Sequence, residues 1–180
     1  MAFRSKRFAG GTRHRALKKR AVWINIPFGN VTFTETVGNQ VLLVPEDWEA
    51  SFTGLAIESA TLRAVVGQLT FKQTAIGTAG GNYFWGLYLR GQTDTAVPVF
   101  TTAGMSENIW LRTGARATVT TVTDSLAGAT NTWAVEDINI KVKRKLTSMV
   151  EICLCAQFGA DAASPSGAIG GLLRFLVARD

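Results

Sequence analysis

Short runs of alternating apolar and polar residues cover most of the chain after residue 20. The clearest run is 136–146, EDINIKVKRKL, whose apolar positions are Ile138, Ile140, Val142 and Leu146. The intervening cations are Lys141, Lys143 and Lys145. Because successive side chains of a strand point to opposite faces, this spacing predicts a strand with one buried face and one basic face. Arg144 falls on the apolar side, which predicts a position at a sheet margin or beside an acid.

Further segments of the same kind, separated by Gly, Asn and Pro, bring the predicted total to eight or nine strands. They are 21–44, which holds two or three strands divided at FGN and VGNQ, and 61–72, 83–90, 107–114, 149–158 and 171–180. Residues 115–124 are predicted as a weaker strand or an extended connection. The segment 149–158 is apolar at nearly every position, which predicts a strand in the middle of a sheet or in a subunit contact. Gly67 is predicted to mark a bulge.

Residues 45–60 have a different pattern. Pro45 is followed by Glu46, Asp47 and Glu49, which is typical of the first turn of a helix, so one short helix or a structured loop is predicted there. Loops are predicted over 73–82, 91–106 and 125–133. Many strands, long loops and at most one helix are typical of an all-β sandwich or barrel. We therefore predict a single eight-stranded jelly-roll sandwich made of two four-stranded sheets.

The first twenty residues have a composition that the rest of the chain lacks. They contain no acid and eight cations, which are Arg4, Lys6, Arg7, Arg13, Arg15, Lys18, Lys19 and Arg20. The remainder has 19 − 8 = 11 Lys and Arg against 13 Asp and Glu, so its charge is −2 while the first twenty residues carry +8. A segment this charged and poor in apolar groups is predicted to be disordered or extended until a polyanion neutralises it.

Two parts of unequal kind are therefore predicted, a basic nucleic-acid-binding arm over 1–20 and a jelly-roll domain over 21–180. A solvated tail or a nuclear-import signal would have a similar composition, and KKR at 18–20 makes import compatible with nucleic-acid binding. Lys141, Lys143 and Lys145 fit equally a solvated strand face and a second surface for a polyanion. The five tryptophans fit core or interface anchors better than stacking platforms for bases.

The residue types that catalysis and metal binding need are scarce. The single histidine, His14, lies in the arm, so no Ser-His or Cys-His pair is predicted in the folded domain. Cys153 and Cys155 lie two residues apart on a predicted strand, which makes them buried thiols of a reducing compartment and not a disulfide. We predict no enzymatic activity, cofactor or metal. No secretory signal or membrane-spanning run is found, and a soluble protein made in the cytosol is expected.

Several of these segments resemble the capsid proteins of small circular Rep-encoding single-stranded DNA viruses of the circovirus-like and genomovirus-like kind. The resemblance lies in the arm MAFRSKRFAGGTRHRALKKR, in TLRAVVGQLTFK followed by YFWGLYLRGQTD, in ENIWLRTG and in EDINIKVKRKL. It spans most of the chain in layout and about a third of it in recognisable motifs. The chain departs from the family in being short and in lacking the dense arginine run of circovirus arms.

The resemblance implies a jelly-roll subunit of an icosahedral shell of about sixty copies, with the arm directed inward onto a single-stranded genome, DNA in that family. It places the protein in the virion, and in the host cytoplasm and nucleus during assembly. A monomeric nucleic-acid-binding β-barrel, such as a ribosome-associated protein, is the alternative from a different class. It would carry its basic residues on the folded domain instead of on a detached arm.

Overall fold

The computed structural model describes residues 21–34, 38–52, 59–75, 82–94, 96–98, 100, 108–117, 133–159 and 166–179. These residues form eight strands and one short helix. The first strands are β1 (Ala21–Phe33), β2 (Gly38–Leu43), β3 (Ser59–Ala75) and β4 (Asn82–Gly91). The others are β5 (Ile109–Ala117), β6 (Trp133–Thr147), β7 (Val150–Phe158) and β8 (Ser166–Arg179), and the helix α1 (Pro45–Ala50) lies between β2 and β3.

The strands form two four-stranded antiparallel sheets. Sheet A has the order β1-β8-β3-β6 and sheet B the order β2-β7-β4-β5. The hydrogen-bonded pairs include β1 with β8, β2 with β7, β3 with β6 and β4 with β5, so the chain is paired as one long hairpin that is wound around a common core. This nested pairing is the jelly roll, and it confirms the predicted fold.

The core lies between the two sheets and is built from alternate residues of their strands. In β7, residues Ile152, Leu154 and Phe158 are buried in this core. Cys153 and Cys155, on the other face of the same strand, are also buried. Because β7 lies between β2 and β4, and both of its faces are covered, the prediction of an internal strand is confirmed.

Helix α1 confirms the prediction of a short helix after Pro45. The Asp47 carboxylate accepts a hydrogen bond of 3.1 Å from the backbone N–H of Val44, which satisfies a donor at the start of the helix. Trp48, on the inner side of the helix, is fully buried in the core. The helix is therefore attached to the sandwich by one large aromatic side chain.

Some strand boundaries differ from the predictions. The FGN motif was predicted to be a turn, but residues 28–31 lie inside β1, where the register with β8 shifts between Phe28 and Val31. Such a shift inserts extra backbone without ending the strand. Strand β3 extends to Ala75, beyond its predicted end, and β5 continues without a break to Ala117, so the predicted boundary between 107–114 and 115–124 is wrong. The remaining parts of the predicted loops, including 76–81 and 125–132, lie outside the described residues, as do residues 118–124 of the predicted weaker strand or extended connection.

Gly67 has a different role from the predicted bulge. The register shifts of β3 lie at Leu62/Ala64 and Gln73/Ala75, not at Gly67. Gly67 instead has φ +148°, and a Cβ there would collide with the Leu172 carbonyl oxygen of β8. Gly171 on β8 has φ +154°, and a Cβ there would meet the Gln68 carbonyl oxygen. Two glycines thus allow the backbones of β3 and β8 to approach closely in the middle of sheet A.

The strand directions give the sandwich two distinct ends. Ala21, where β1 begins, pairs with Ala178, which pairs with Thr61, which pairs with Lys145. The starts of β1 and β3 and the ends of β6 and β8 therefore meet, and β7 begins just beyond the turn after β6. We call this the arm end, because residues 1–20 precede Ala21 there.

We expect Gly67→Ala to lower the free energy of unfolding by more than about 2 kcal/mol, because the added methyl group strains a left-handed backbone and collides with β8. Urea denaturation measures the change. Gly29→Ala is the matched control, since nothing lies within 4 Å of its added Cβ, and it should change stability by less than about 0.5 kcal/mol. Equal effects of the two substitutions would contradict this role of Gly67.

Candidate nucleic-acid interface

The arm cations that were predicted to bind nucleic acid lie outside the described residues. They are Arg4, Lys6, Arg7, Arg13, Arg15, Lys18, Lys19 and Arg20. The structure does place the point where the arm joins the sandwich. Ala21 is exposed at the start of β1, an edge strand of sheet A. Any surface at the arm end of sheet A is therefore close to the origin of the arm.

The lysine stripe lies on β6, at the opposite edge of the same sheet. Ile138, Ile140 and Leu146 are buried, while Lys141, Lys143 and Lys145 are exposed, as the alternating pattern predicted. Arg144 is also exposed, at the sheet margin. Lysines on an edge strand have a structural role of their own, since they discourage pairing with other chains. Their position alone therefore does not assign a function.

Arg63 enlarges this cationic surface and was not identified from the sequence. It is exposed on β3 at the register shift between Leu62 and Ala64, next to the part of β6 that carries the lysines. We call the following four residues the basic corner: Arg63, Lys141, Lys143 and Lys145. Residues 59–66 and 138–147, which surround them, contain no acid. An isolated arginine in a strand pattern gives no signal of such clustering, because the pairing of β3 with β6 creates it.

The electrostatic field of the basic corner favours an anion with several charges. Side chains two residues apart on a strand face are about 7 Å apart, which is less than the screening length of about 8 Å at physiological ionic strength. The lysines therefore repel one another in the absence of a counter-charge. A chain of phosphates would relieve that repulsion at several positions at once.

Trp23 is the aromatic residue that extends this surface. Its side chain is 43% exposed on β1, and the Arg174 guanidinium lies 5.1 Å from the centre of its ring. Arg174 Nε donates a hydrogen bond of 3.1 Å to Asn25 Oδ1, which fixes the arginine over the indole. In contrast, Trp48 and Trp85 are buried in the core, as predicted for anchors. Trp110 is half-buried, and the Trp133 side chain lies outside the described part.

The outer face of sheet B carries the other group of reactive side chains, but they are buried and protonated. Tyr88, Cys153 and Cys155 form a second apolar cluster, against which Val97 and Phe100 pack. Burial raises the pKa of the Cys153 thiol to about 11 and that of the Cys155 thiol to about 12. Both cysteines are free, as predicted. Thiols with such pKa values are poor nucleophiles at neutral pH.

The remaining candidate sites on the described residues lack converging polar groups. Arg90 and Glu151 form an ion pair of 3.0 Å beside the second cluster, so each charge is already matched. A shallow depression of about 330 Å³ is lined by Phe84, Phe100 and residues 113–115, without an ionisable side chain. Within the described ranges, no group of three His, Cys, Asp or Glu residues could hold a metal ion. No helix there is long and apolar enough to cross a bilayer.

We expect the two thiols of the native protein to react with Ellman's reagent at pH 8 at least about 100-fold more slowly than after unfolding, since a pKa of about 11 instead of 9.0 lowers the thiolate fraction by that factor. The native state also holds these protons more tightly than the unfolded chain. Their contribution to stability is therefore complete below pH 9 and is lost as the pH rises through about 11 for Cys153 and about 12 for Cys155. Equal rates before and after unfolding would contradict the buried positions.

Comparisons with known proteins do not assign a family. No family model matches the chain, and no curated protein matches it. Among solved structures, it is similar to Eiger TNF from S. frugiperda, with 6% identity, a TM-score of 0.41 and coverage of 87% of this chain and 91% of the other. It is also similar to the Tobacco streak virus coat protein, with 8% identity, a TM-score of 0.38 and coverage of 88% and 85%.

A third similar structure is that of infectious bursal disease virus, Gx strain, with 14% identity and a TM-score of 0.42. The match covers 88% of this chain but 32% of the viral chain, so this chain spans about a third of that protein. These scores are low, and the matched proteins include a TNF as well as virus proteins. These matches therefore indicate a similarity of fold and do not assign a function.

Proposed function

We propose that this protein is a viral capsid subunit that assembles into a small icosahedral shell and packages single-stranded DNA through its basic arm. The observation that carries the proposal is the division of charge at the start of β1. Residues 1–20 carry +8, while the chain from Ala21 onward carries −2 and folds as a jelly roll. A domain with little net charge and a strongly charged appendage can separate assembly from genome binding.

The arm is suited to packaging because its interactions ignore base sequence. Lysine and arginine neutralise phosphates and release condensed counterions, which stabilises binding to any strand. A packaged genome must be bound along its whole length. Packaging therefore requires contacts with the phosphate backbone, which do not depend on the base sequence. The resemblance of the arm and strand motifs to circovirus-like capsid proteins supports DNA as the nucleic acid.

The shell requires several different contacts on each subunit. A closed assembly of identical subunits uses repeated interfaces, each of which buries on the order of 1,000 Å² or more. Large apolar side chains are exposed on two separate surfaces of the described structure. Val135 and Leu172 lie on the outer face of sheet A away from the arm end, whereas Ile109 and Met149 lie near the arm end. Such dispersed apolar positions suit contacts with more than one neighbouring copy.

A monomeric nucleic-acid-binding protein is the second candidate, and the basic corner favours it. Such a protein would use cations and an exposed aromatic residue on the folded domain, which Arg63, the lysines of β6 and Trp23 provide. The two candidates differ in assembly. A capsid subunit forms large particles, whereas the alternative stays a monomer when it is free of nucleic acid.

We expect the arm to supply most of the salt dependence of binding. Replacing its eight cations with glutamine in the full chain should make the slope of log K against log salt shallower by about 0.7 × 8, or 5 to 6 units, for a single-stranded oligonucleotide. Fluorescence anisotropy over a salt series measures the slope. A variant in which the five arm arginines become lysines is the control and should keep the wild-type slope. An unchanged slope in the glutamine variant would exclude the arm as the packaging element.

We expect the purified full chain to form large regular particles at moderate salt, because subunit contacts on several surfaces close a shell. Negative-stain electron microscopy and light scattering would detect them. A protein that remains monomeric across salt concentration and pH would refute the capsid proposal and favour the second candidate.

A further inference from the structure

We propose that the outer face of sheet A is a second binding surface for single-stranded nucleic acid, in which the basic corner contacts phosphates and the Trp23–Arg174 pair stacks on an unpaired base. This inference rests on the proposed nucleic-acid-binding function and extends it from the arm to the folded domain. It adds Arg63, Arg174 and Trp23 to the residues that contact the strand.

The strand register places the two parts of this surface in one row. Trp23 pairs with Leu176, Leu176 with Ala64, and Ala64 with Lys141, so the row crosses all four strands of sheet A. Three strand spacings of about 4.8 Å separate the backbone of Trp23 from that of Lys141 by about 14 Å. Leu176 and Ala64, which lie between them, are half-buried, so no large exposed side chain separates Trp23 from Lys141 along this row.

Cations predominate on the outer face of sheet A around the row from Trp23 to Lys141. The neighbouring row toward the arm end runs from Ala21 to Lys145 and contains no acid. Among the described residues, the nearest acid on the outer face is Asp137, two rows away from Lys141 on the other side, and it accepts a hydrogen bond of 2.9 Å from Gln68 Nε2. A polyanion that crosses from Trp23 to the basic corner therefore meets cations and avoids this carboxylate.

The aromatic part of the surface favours a single strand over a duplex. A base can stack on an exposed indole or on a guanidinium plane only when it is released from its own stack. Arg174 is held over Trp23 by its bond to Asn25, so the pair is ordered before a base arrives. Little conformational entropy would then be lost on stacking.

Ala21, where the arm joins β1, lies beside the proposed surface. The arm leaves the sandwich at Ala21, two residues before Trp23, and the basic corner lies across the same end of sheet A. One strand of nucleic acid can therefore contact the arm and the outer face together. Linking two weak sites in this way raises the total affinity without a new contact.

The test uses the full chain and a fluorescein-labelled oligo-dT. The variant Arg63→Gln with Lys141→Gln, Lys143→Gln and Lys145→Gln should make the salt slope shallower by about 0.7 × 4, or about 3 units. Two single substitutions form a matched test and control. Lys143→Gln should reduce the slope by about 0.7, whereas Arg112→Gln, an exposed cation on β5 in the other sheet, should leave it unchanged.

The stacking contact has its own readout. Trp23→Ala should weaken binding to oligo-dT about 5- to 100-fold, while Trp23→Phe retains most of the affinity. An abasic oligonucleotide of equal length should bind Trp23→Ala and wild type equally, since it offers phosphates but no base. A loss of equal size on the abasic strand would mean that Trp23 acts only through the fold, and would overturn its stacking role.

The outcomes separate this inference from the proposed function. If the arm variant loses salt dependence and the four-cation variant does not, packaging by the arm stands and the second surface is refuted. If the four-cation variant alone loses it, the second surface stands and the arm proposal fails. If the four-cation variant binds oligo-dT like wild type but no longer forms particles, the basic corner is a contact between copies of the chain, which overturns the inference.

Discussion

The antiparallel pairing of β8 with both β1 and β3 is the interaction on which the rest of the structure depends. It joins the last strand of the chain to the first and places both beside β3, so that sheet A is complete only when residues 166–179 are present. The close approach of β3 and β8 at Gly67 and Gly171 is part of this pairing. Through it Ala21, Arg179 and the basic corner lie at one end of the sandwich.

This arrangement separates two kinds of surface. The interior faces of the sheets and the cluster around Tyr88 bury their aromatic and sulfur-containing side chains, and the described part leaves no exposed group suited to nucleophilic chemistry there. The outer face of sheet A instead exposes cations and an aromatic ring. The surface proposed for a polyanion therefore lies on one side of the domain, beside Ala21, where residues 1–20 join the sandwich.

Strand content and fold class were predictable because the spacing of apolar residues along the chain indicates which segments form strands and which faces are buried. The period of two in 136–146 gives the buried and exposed faces of β6, and the continuous apolar run of 149–158 gives an internal strand. The position of Pro45 ahead of three acids marks α1. Two local signals were misleading. Glycine in FGN and at Gly67 is compatible with a turn, a bulge or a close approach of two backbones, and only the neighbouring strand decides which of these occurs.

The sequence by itself determined the strands, the two-sided burial of β7, and the concentration of positive charge before Ala21, since each of these depends on residues that are close together in the chain. The tertiary structure alone decided that Arg63 joins three lysines about eighty residues away, and that Trp23 shares a row with Lys141. The physical reason is register. Which residues of distant strands become neighbours depends on how both sheets pack around one core, and a pattern within a single strand contains no information about its partner.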